Sequence, residues 1–151
     1  MKALFLSALL SLICCIGCTG NAVTVDGLAG TWVISKGSKA ILPVESGKAN
    51  GRLSLARDGG FVAEGIPGEL LYSPPGVKNT APVSGSGTWK LHEVDGSPAL
   101  LLAFDVFMPP NEKMPRSETQ IFIDNEWREI TLYFFLGDPD QGGRVELERV
   151  K

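Results

Sequence analysis

The feature that most restricts how this chain can fold is a series of short runs in which apolar and polar residues alternate, each run ending in turn chemistry. Arg52–Arg57 (RLSLAR) sets Leu53 and Leu55 on one face, and Asp58-Gly59-Gly60 joins it to Phe61–Gly65. Thr88–Val94 places Trp89 and Leu91 on one face and Lys90 and His92 on the other, before Asp95-Gly96 turns the chain into Ala99–Phe107. Asp-Gly between two such runs predicts a hairpin, because Gly, Asn and Asp tolerate the positive φ of a tight turn. Thr119–Asp124 leads through Asn125-Glu126 into Arg128–Leu136, and the segment GDPDQGG delivers Arg144–Val150. With Gly30–Lys36 in front, the count is about eight strands. After the N-terminal segment, no window of 11–18 residues carries a clean helical period. Eighteen glycines and ten prolines in 151 residues fit a fold of many turns. The expectation is all-β: an up-and-down antiparallel meander that closes as a small barrel or packs as a sandwich. Leu53, Leu55, Phe61, Trp89, Leu100, Leu102, Leu132 and Phe134 are its expected filling. Two segments interrupt the rhythm: Ile66–Ser84, with Pro67, Pro74, Pro75 and Pro82, and Met108–Glu118, with Pro109, Pro110 and Pro115. Long loops of this kind are often functional.

Cysteine usage narrows the chemistry. Cys14, Cys15 and Cys18 all precede the β-like runs, and nothing after them is a cysteine. The folded part therefore has no disulfide, no zinc–thiolate cluster and no cysteine nucleophile, and its core alone must hold it. Formal net charge is −3, and removal of residues 1–17 would take away Lys2 and leave −4. With that balance and no basic stripe, nucleic acid is excluded as an expected partner.

Residues 3–16 read ALFLSALLSLICCI behind the single positive Lys2. This is the layout of a secretory signal, whose apolar region spans ~7–15 residues, and it is short of the ~20 needed to cross a bilayer. The run ends in Cys15-Ile16-Gly17-Cys18, which resembles the lipobox of bacterial lipoprotein precursors. Gly17 matches the small residue before the acceptor and Cys18 the acceptor, while Cys15 stands where leucine is usual. The resemblance implies that Cys18 receives a diacylglyceryl group and becomes the new N-terminus. Two or three acyl chains would then hold the protein firmly, where one chain binds only marginally. Thr19 rather than Asp follows the acceptor, which in a host with two membranes points to the outer one. The expected organisation is a signal peptide at 1–17, a lipidated tether at 18–28 and a β-barrel-like domain at 29–151.

Gly30-Thr31-Trp32 at the start of the first strand, with Arg149 near the end of the last, resembles the lipocalin-like arrangement. That resemblance implies an arginine from the closing strand stacked on the tryptophan, a contact favourable by ~0.5–2 kcal/mol. A longer pattern, LAGTW, LSLARDGGF, SGSGTWKL and LYFFLGDPDQGG, is similar to a group of bacterial secreted and lipid-anchored proteins that share GTW, L-x-L-x-x-D-G-x-F, a G-x-W strand and LYFFLGDPD-x-G. It implies a common fold and brings no activity with it.

Candidate sites are few. His92 is the single histidine, so one chain cannot assemble a multi-histidine metal site; on the polar face of its strand it reads as solvent-facing. Asp138 and Asp140 in GDPDQGG offer carboxylates for a hard cation, but Asp, Pro and Gly are also what a tight turn uses. Asp58, Asp95 and Asp124 have the same turn reading. Glu64, Glu69 and Asp105 are candidates for a carboxylate pair in glycoside hydrolysis, although nothing in the sequence says which converge, and 17 acidic residues guarantee accidental pairs. Gly85-Ser86-Gly87 lacks the spacing of a nucleophile elbow. Tyr133 and Phe135 alternate with Leu132, Phe134 and Leu136, so that strand is apolar on both faces; one face belongs inside, and the other lies under a loop or meets a partner. No catalytic residue, cofactor or metal is expected. The expected function is a non-enzymatic, lipid-anchored binding module at the cell envelope for a small apolar ligand or a peptide. The alternative is an interaction or inhibitor protein that acts on an envelope partner through its Pro-rich loops.

Overall fold

Asp95 and Gly96 adopt φ of 50° and 78°, the two positive angles of a type I′ turn, and Val94 pairs directly with Ser97 across them. Gly96 has no neighbour near the position of a Cβ, so its role is conformational and not steric. Gly96→Ala is therefore expected to cost about 1 kcal/mol through backbone strain alone, read as a lowered thermal midpoint with an unchanged far-UV spectrum. This turn joins the two longest strands of the protein. The computed structural model describes residues 22–43, 50–71, 81–108, 118–125, 129–137, 139–141 and 143–151.

Eight strands run in chain order: β1 (Gly30–Ile34), β2 (Arg52–Leu55), β3 (Gly60–Pro67), β4 (Pro82–Val94), β5 (Ser97–Met108), β6 (Glu118–Asp124), β7 (Thr131–Phe135) and β8 (Arg144–Arg149). Each pairs antiparallel with the next, and β1 also pairs with β8, so the meander closes as a small lipocalin-like barrel. The closing seam matches Trp32 with Arg149, Val33 with Glu148 and Ile34 with Leu147. Closure gives each of these strands a neighbour on both sides, which removes the long open edges that serve as a template for aggregation.

Alternation sends one set of side chains inward as a continuous core. Trp32, Leu53, Leu55, Phe61, Trp89, Leu100, Leu102, Phe104, Ile121, Leu132, Phe134, Val145 and Leu147 are all buried within it. The eight residues expected to fill the barrel are among them. Phe61 meets Phe104 edge to face at 4.8 Å, and Phe104 stacks on Phe107 at 4.2 Å. Full burial of such side chains contributes about 1.5–3 kcal/mol each, which is how a domain without cysteines stays folded.

Among the described residues, three short helices dress the ends: α1 (Val25–Leu28), α2 (Lys36–Ile41) and α3 (Gly68–Leu71). In α1, the Thr24 hydroxyl accepts from the Gly27 amide at 3.1 Å, and Leu28 is fully buried in the core. The packed unit thus takes in residues that sequence reading gave to the tether. Ser35 caps α2 by accepting from the Ser38 amide at 3.1 Å, so β1 stops at Ile34 where the alternation had carried it to Lys36. Ser38 then accepts from the Glu146 amide at 2.8 Å and fixes α2 on β8.

The Pro-rich segment after Ile66 is partly regular. Pro67 ends β3 opposite Pro82, which starts β4, and α3 follows at once. Proline is tolerated at strand ends because the amide it lacks has no ladder partner there. Pro74 and Pro75, and Pro109, Pro110 and Pro115 of the second interruption, lie outside the described residues.

Candidate functional site

At the seam, the Trp32 indole Nε1 donates to the Leu28 carbonyl at 2.9 Å, and the Arg149 guanidinium lies over its ring with Cζ 5.4 Å from the centroid. Arg149 also donates to the Ala29 carbonyl. Gly30, at φ 144°, is where a Cβ would come within 3.0 Å of the guanidinium, so glycine leaves room for the arginine. Trp32, Arg149, Leu28 and Ala29 together bind α1 and the last strand across one end of the barrel. Trp89 does similar work nearby: its Nε1 donates to the Ala56 carbonyl at 2.9 Å and its amide to the Gly59 carbonyl at 2.7 Å, holding the Asp58-Gly59-Gly60 turn down.

The outer wall carries the feature that sequence reading missed. Successive registers place Thr31 opposite Ser54, Ser54 opposite Val62, Val62 opposite Ser86 and Ser86 opposite Val106. This row runs across five strands on the face away from the core. Its members are short, and Thr31, Ser54, Val62 and Ser86 floor an open trough of about 520 Å³. The Thr31 and Ser54 hydroxyl oxygens are 3.4 Å apart. Gly30, Gly60 and Gly87 also line the trough, and Asp58 and Asp105 supply its charged groups.

A β-bulge makes this geometry. Ser86 pairs with Val106 but Gly87 pairs with Phe104, so Asp105 has no partner in the ladder. Beyond it the alternation changes phase, and Phe104 and Phe107, three residues apart, both pack on the core. Gly85 and Gly87 permit the close approach: a methyl on either would overlap a carbonyl oxygen of β5, that of Val106 or Ala103. The signal was present in SGSGTW, where two small-residue pairs precede a strand tryptophan, and in the broken alternation of Phe104-Asp105-Val106-Phe107.

A second outer face is aromatic. Phe122 and Tyr133 stack at 5.6 Å, and Phe135 meets them edge-on at 4.9 and 5.4 Å. Arg144 sits 5.2 Å from the Tyr133 centroid and pairs with Glu146 at 2.8 Å and Asp124 at 3.3 Å. Burial alone would lower the pKa of Arg144, but the Glu146 and Asp124 carboxylates outweigh it and hold that pKa above the ordinary value. Tyr133 and Phe135 are thus the outward members of β7, while Leu132 and Phe134 enter the core.

The other candidates stand apart from each other. His92 is half-buried on the outer face, its Nε2 3.5 Å from Gln120 Nε2. Glu64 faces outward opposite Arg52, Glu69 belongs to α3 and Asp105 to the bulge, three separate elements. The Asp58 carboxylate accepts from the Gly60 amide at 3.0 Å, the turn role expected of it. Asp140 lies in a 3₁₀ turn, Pro139–Gln141, and is exposed. Asp138 and Cys18 lie outside the described residues. Among the described residues no three His, Cys, Asp or Glu side chains group as metal ligands, and no helix is long and apolar enough to cross a membrane. Comparison of the chain with protein-family models, with curated proteins and with solved structures finds no match.

Proposed function

We propose that this chain is a lipid-anchored protein of the bacterial cell envelope, held by acyl chains on Cys18, whose barrel is a non-enzymatic binding module for a partner protein or peptide. One observation carries the binding half of the reading. Large apolar side chains occupy the barrel interior as a continuous cluster, whereas an open trough of about 520 Å³ lies on the outside. A module of this build takes its ligand on the wall, and the small apolar ligand of an open barrel is the weaker choice. The anchoring half rests on the signal-like N-terminus and the Gly17-Cys18 junction.

Mass spectrometry of protein purified from the membranes of its host tests the anchor. The expected product begins at Cys18 and carries the mass of two or three acyl chains, and Cys18→Ser is expected to lose both the added mass and the membrane attachment. A Cys18→Ser chain that is cleaved and retained like the unaltered one would overturn the anchor.

A further inference from the structure

We infer that the outer-wall trough is a binding site for a cationic side chain, a lysine or arginine carried on an extended segment of a partner protein. This rests on the reading of the barrel as a binding module and names the chemistry its wall selects. The trough is large enough for such a group, since ligand sites span ~300–1,000 Å³. Its lining divides as a long basic side chain does. Val62 and Ala56 offer exposed apolar surface to an aliphatic stem, and Asp58 and Asp105 offer carboxylates to the charged head. No lysine, arginine or histidine is among the lining residues. Neighbouring cations are directed elsewhere: Arg57 pairs with Asp26 at 3.3 Å, and Arg149 lies over Trp32.

Backbone geometry accounts for part of this lining but not all of it. Gly30 makes room for Arg149 and Gly87 for the bulge, so both would be glycine with no ligand at all. Nothing in the ladder asks for serine at 54 and 86, outward positions where strands usually carry β-branched or longer side chains. Their shortness keeps the floor low, and their hydroxyls accept hydrogen bonds. The bulge adds the second acid, because an unpaired residue there turns its side chain away from the ladder. Closure of the barrel narrows the mode of recognition. A partner segment cannot join at the β1–β8 seam, since those strands already pair. The strands that carry the row are paired with one another, so across the trough it must be read through side chains set into the wall.

The test is an NMR titration of the ¹⁵N-labelled full chain in neutral detergent with the peptide acetyl-Ala-Ala-Lys-Ala-Ala-amide and its Arg and Gln counterparts. The Lys or Arg peptide is expected to shift the amides of Thr31, Ser54, Gly60, Ser86 and Gly87. The Gln peptide should bind about tenfold or more weakly, and raising salt should weaken only the charged peptides. The double variant Asp58→Asn, Asp105→Asn keeps the Gly60 turn acceptor and should lose about tenfold or more in affinity. Ser86→Lys should abolish binding by placing a cation in the trough from within. Shifts confined to other surfaces, equal binding of the Gln peptide, or a Ser86→Lys chain that binds like the unaltered one would each overturn the site. Because the titration does not use the lipid, failure of the anchor leaves its outcome unchanged.

Discussion

Trp32→Ala is expected to destabilise the domain by about 3–5 kcal/mol, the range for deleting a large buried aromatic side chain. Three separate losses converge there. Trp32 is 1% exposed, so its removal leaves a cavity in the core, beside its ladder partner Leu53, that strands fixed by a closed ladder cannot readily collapse. The bond from Nε1 to the Leu28 carbonyl disappears and frees α1. Arg149 loses the ring beneath it and keeps only its bond to Ala29. With total stabilities of ~5–15 kcal/mol, a loss of that size brings a domain without disulfides close to unfolding. Urea titration followed by circular dichroism reads the shift in midpoint. Trp32→Phe separates the contributions, since it restores much of the volume but not the hydrogen bond and should recover more than half of the loss. A Trp32→Ala midpoint within error of the unaltered chain would mean that the seam is not held as described.

Gly87→Ala is the second large effect, about 3 kcal/mol, at the upper end of the cost of overpacking. The added methyl would overlap the Ala103 carbonyl, with the Ala103 carbonyl carbon and the Asp105 nitrogen each 3.0 Å away. All three are backbone atoms, so no side chain can swing aside and the β4–β5 pair must separate or slip. Gly51→Ala provides the control. Its methyl would meet the Ile34 side chain and not backbone, so the ladder need not separate and the cost should be smaller. Thermal denaturation of both variants is the measurement. The two glycines should rank in that order, and the reverse order would place the tight approach elsewhere than at the bulge. Gly87→Ala should also blunt peptide binding in the trough beyond what stability explains, because Asp105 depends on the bulge for its direction.

The barrel was legible in the sequence wherever turn chemistry and alternation coincide. Asp58-Gly59-Gly60 and Asp95-Gly96 stand at tight turns, and the inward residues of β2, β4, β5 and β7 are those their alternation picked out. Prolines misled the reading between Ile66 and Ser84, since a proline at a strand end looks in sequence like one that breaks a strand. The helices escaped because a single turn is too short for a 3.6-residue period to register, and only the caps Thr24 and Ser35 marked them. The trough was hidden for a different reason. It is made by a row of five strands far apart in the chain, and no segment of sequence contains more than a corner of it. In sequence Asp58 reads as a turn residue and Asp105 as a candidate for a carboxylate pair; only the register of β2, β3, β4 and β5 brings both to the wall that carries Ser54 and Ser86.

The seam also fixes the order in which the molecule can be completed. Arg149 and the Ala29 carbonyl it binds are 120 residues apart, whereas every other neighbouring pair of strands is consecutive in the chain. Hairpins can zip locally and early, but β1 waits with one side unpaired until β8 is free to return to it. Non-local closure of this kind is slow compared with hairpin formation. A chain released from its N-terminus onward therefore stays open, and able to be threaded, until β8 has emerged. A truncation within β8 should leave not a barrel with a gap but a sheet with two sticky margins.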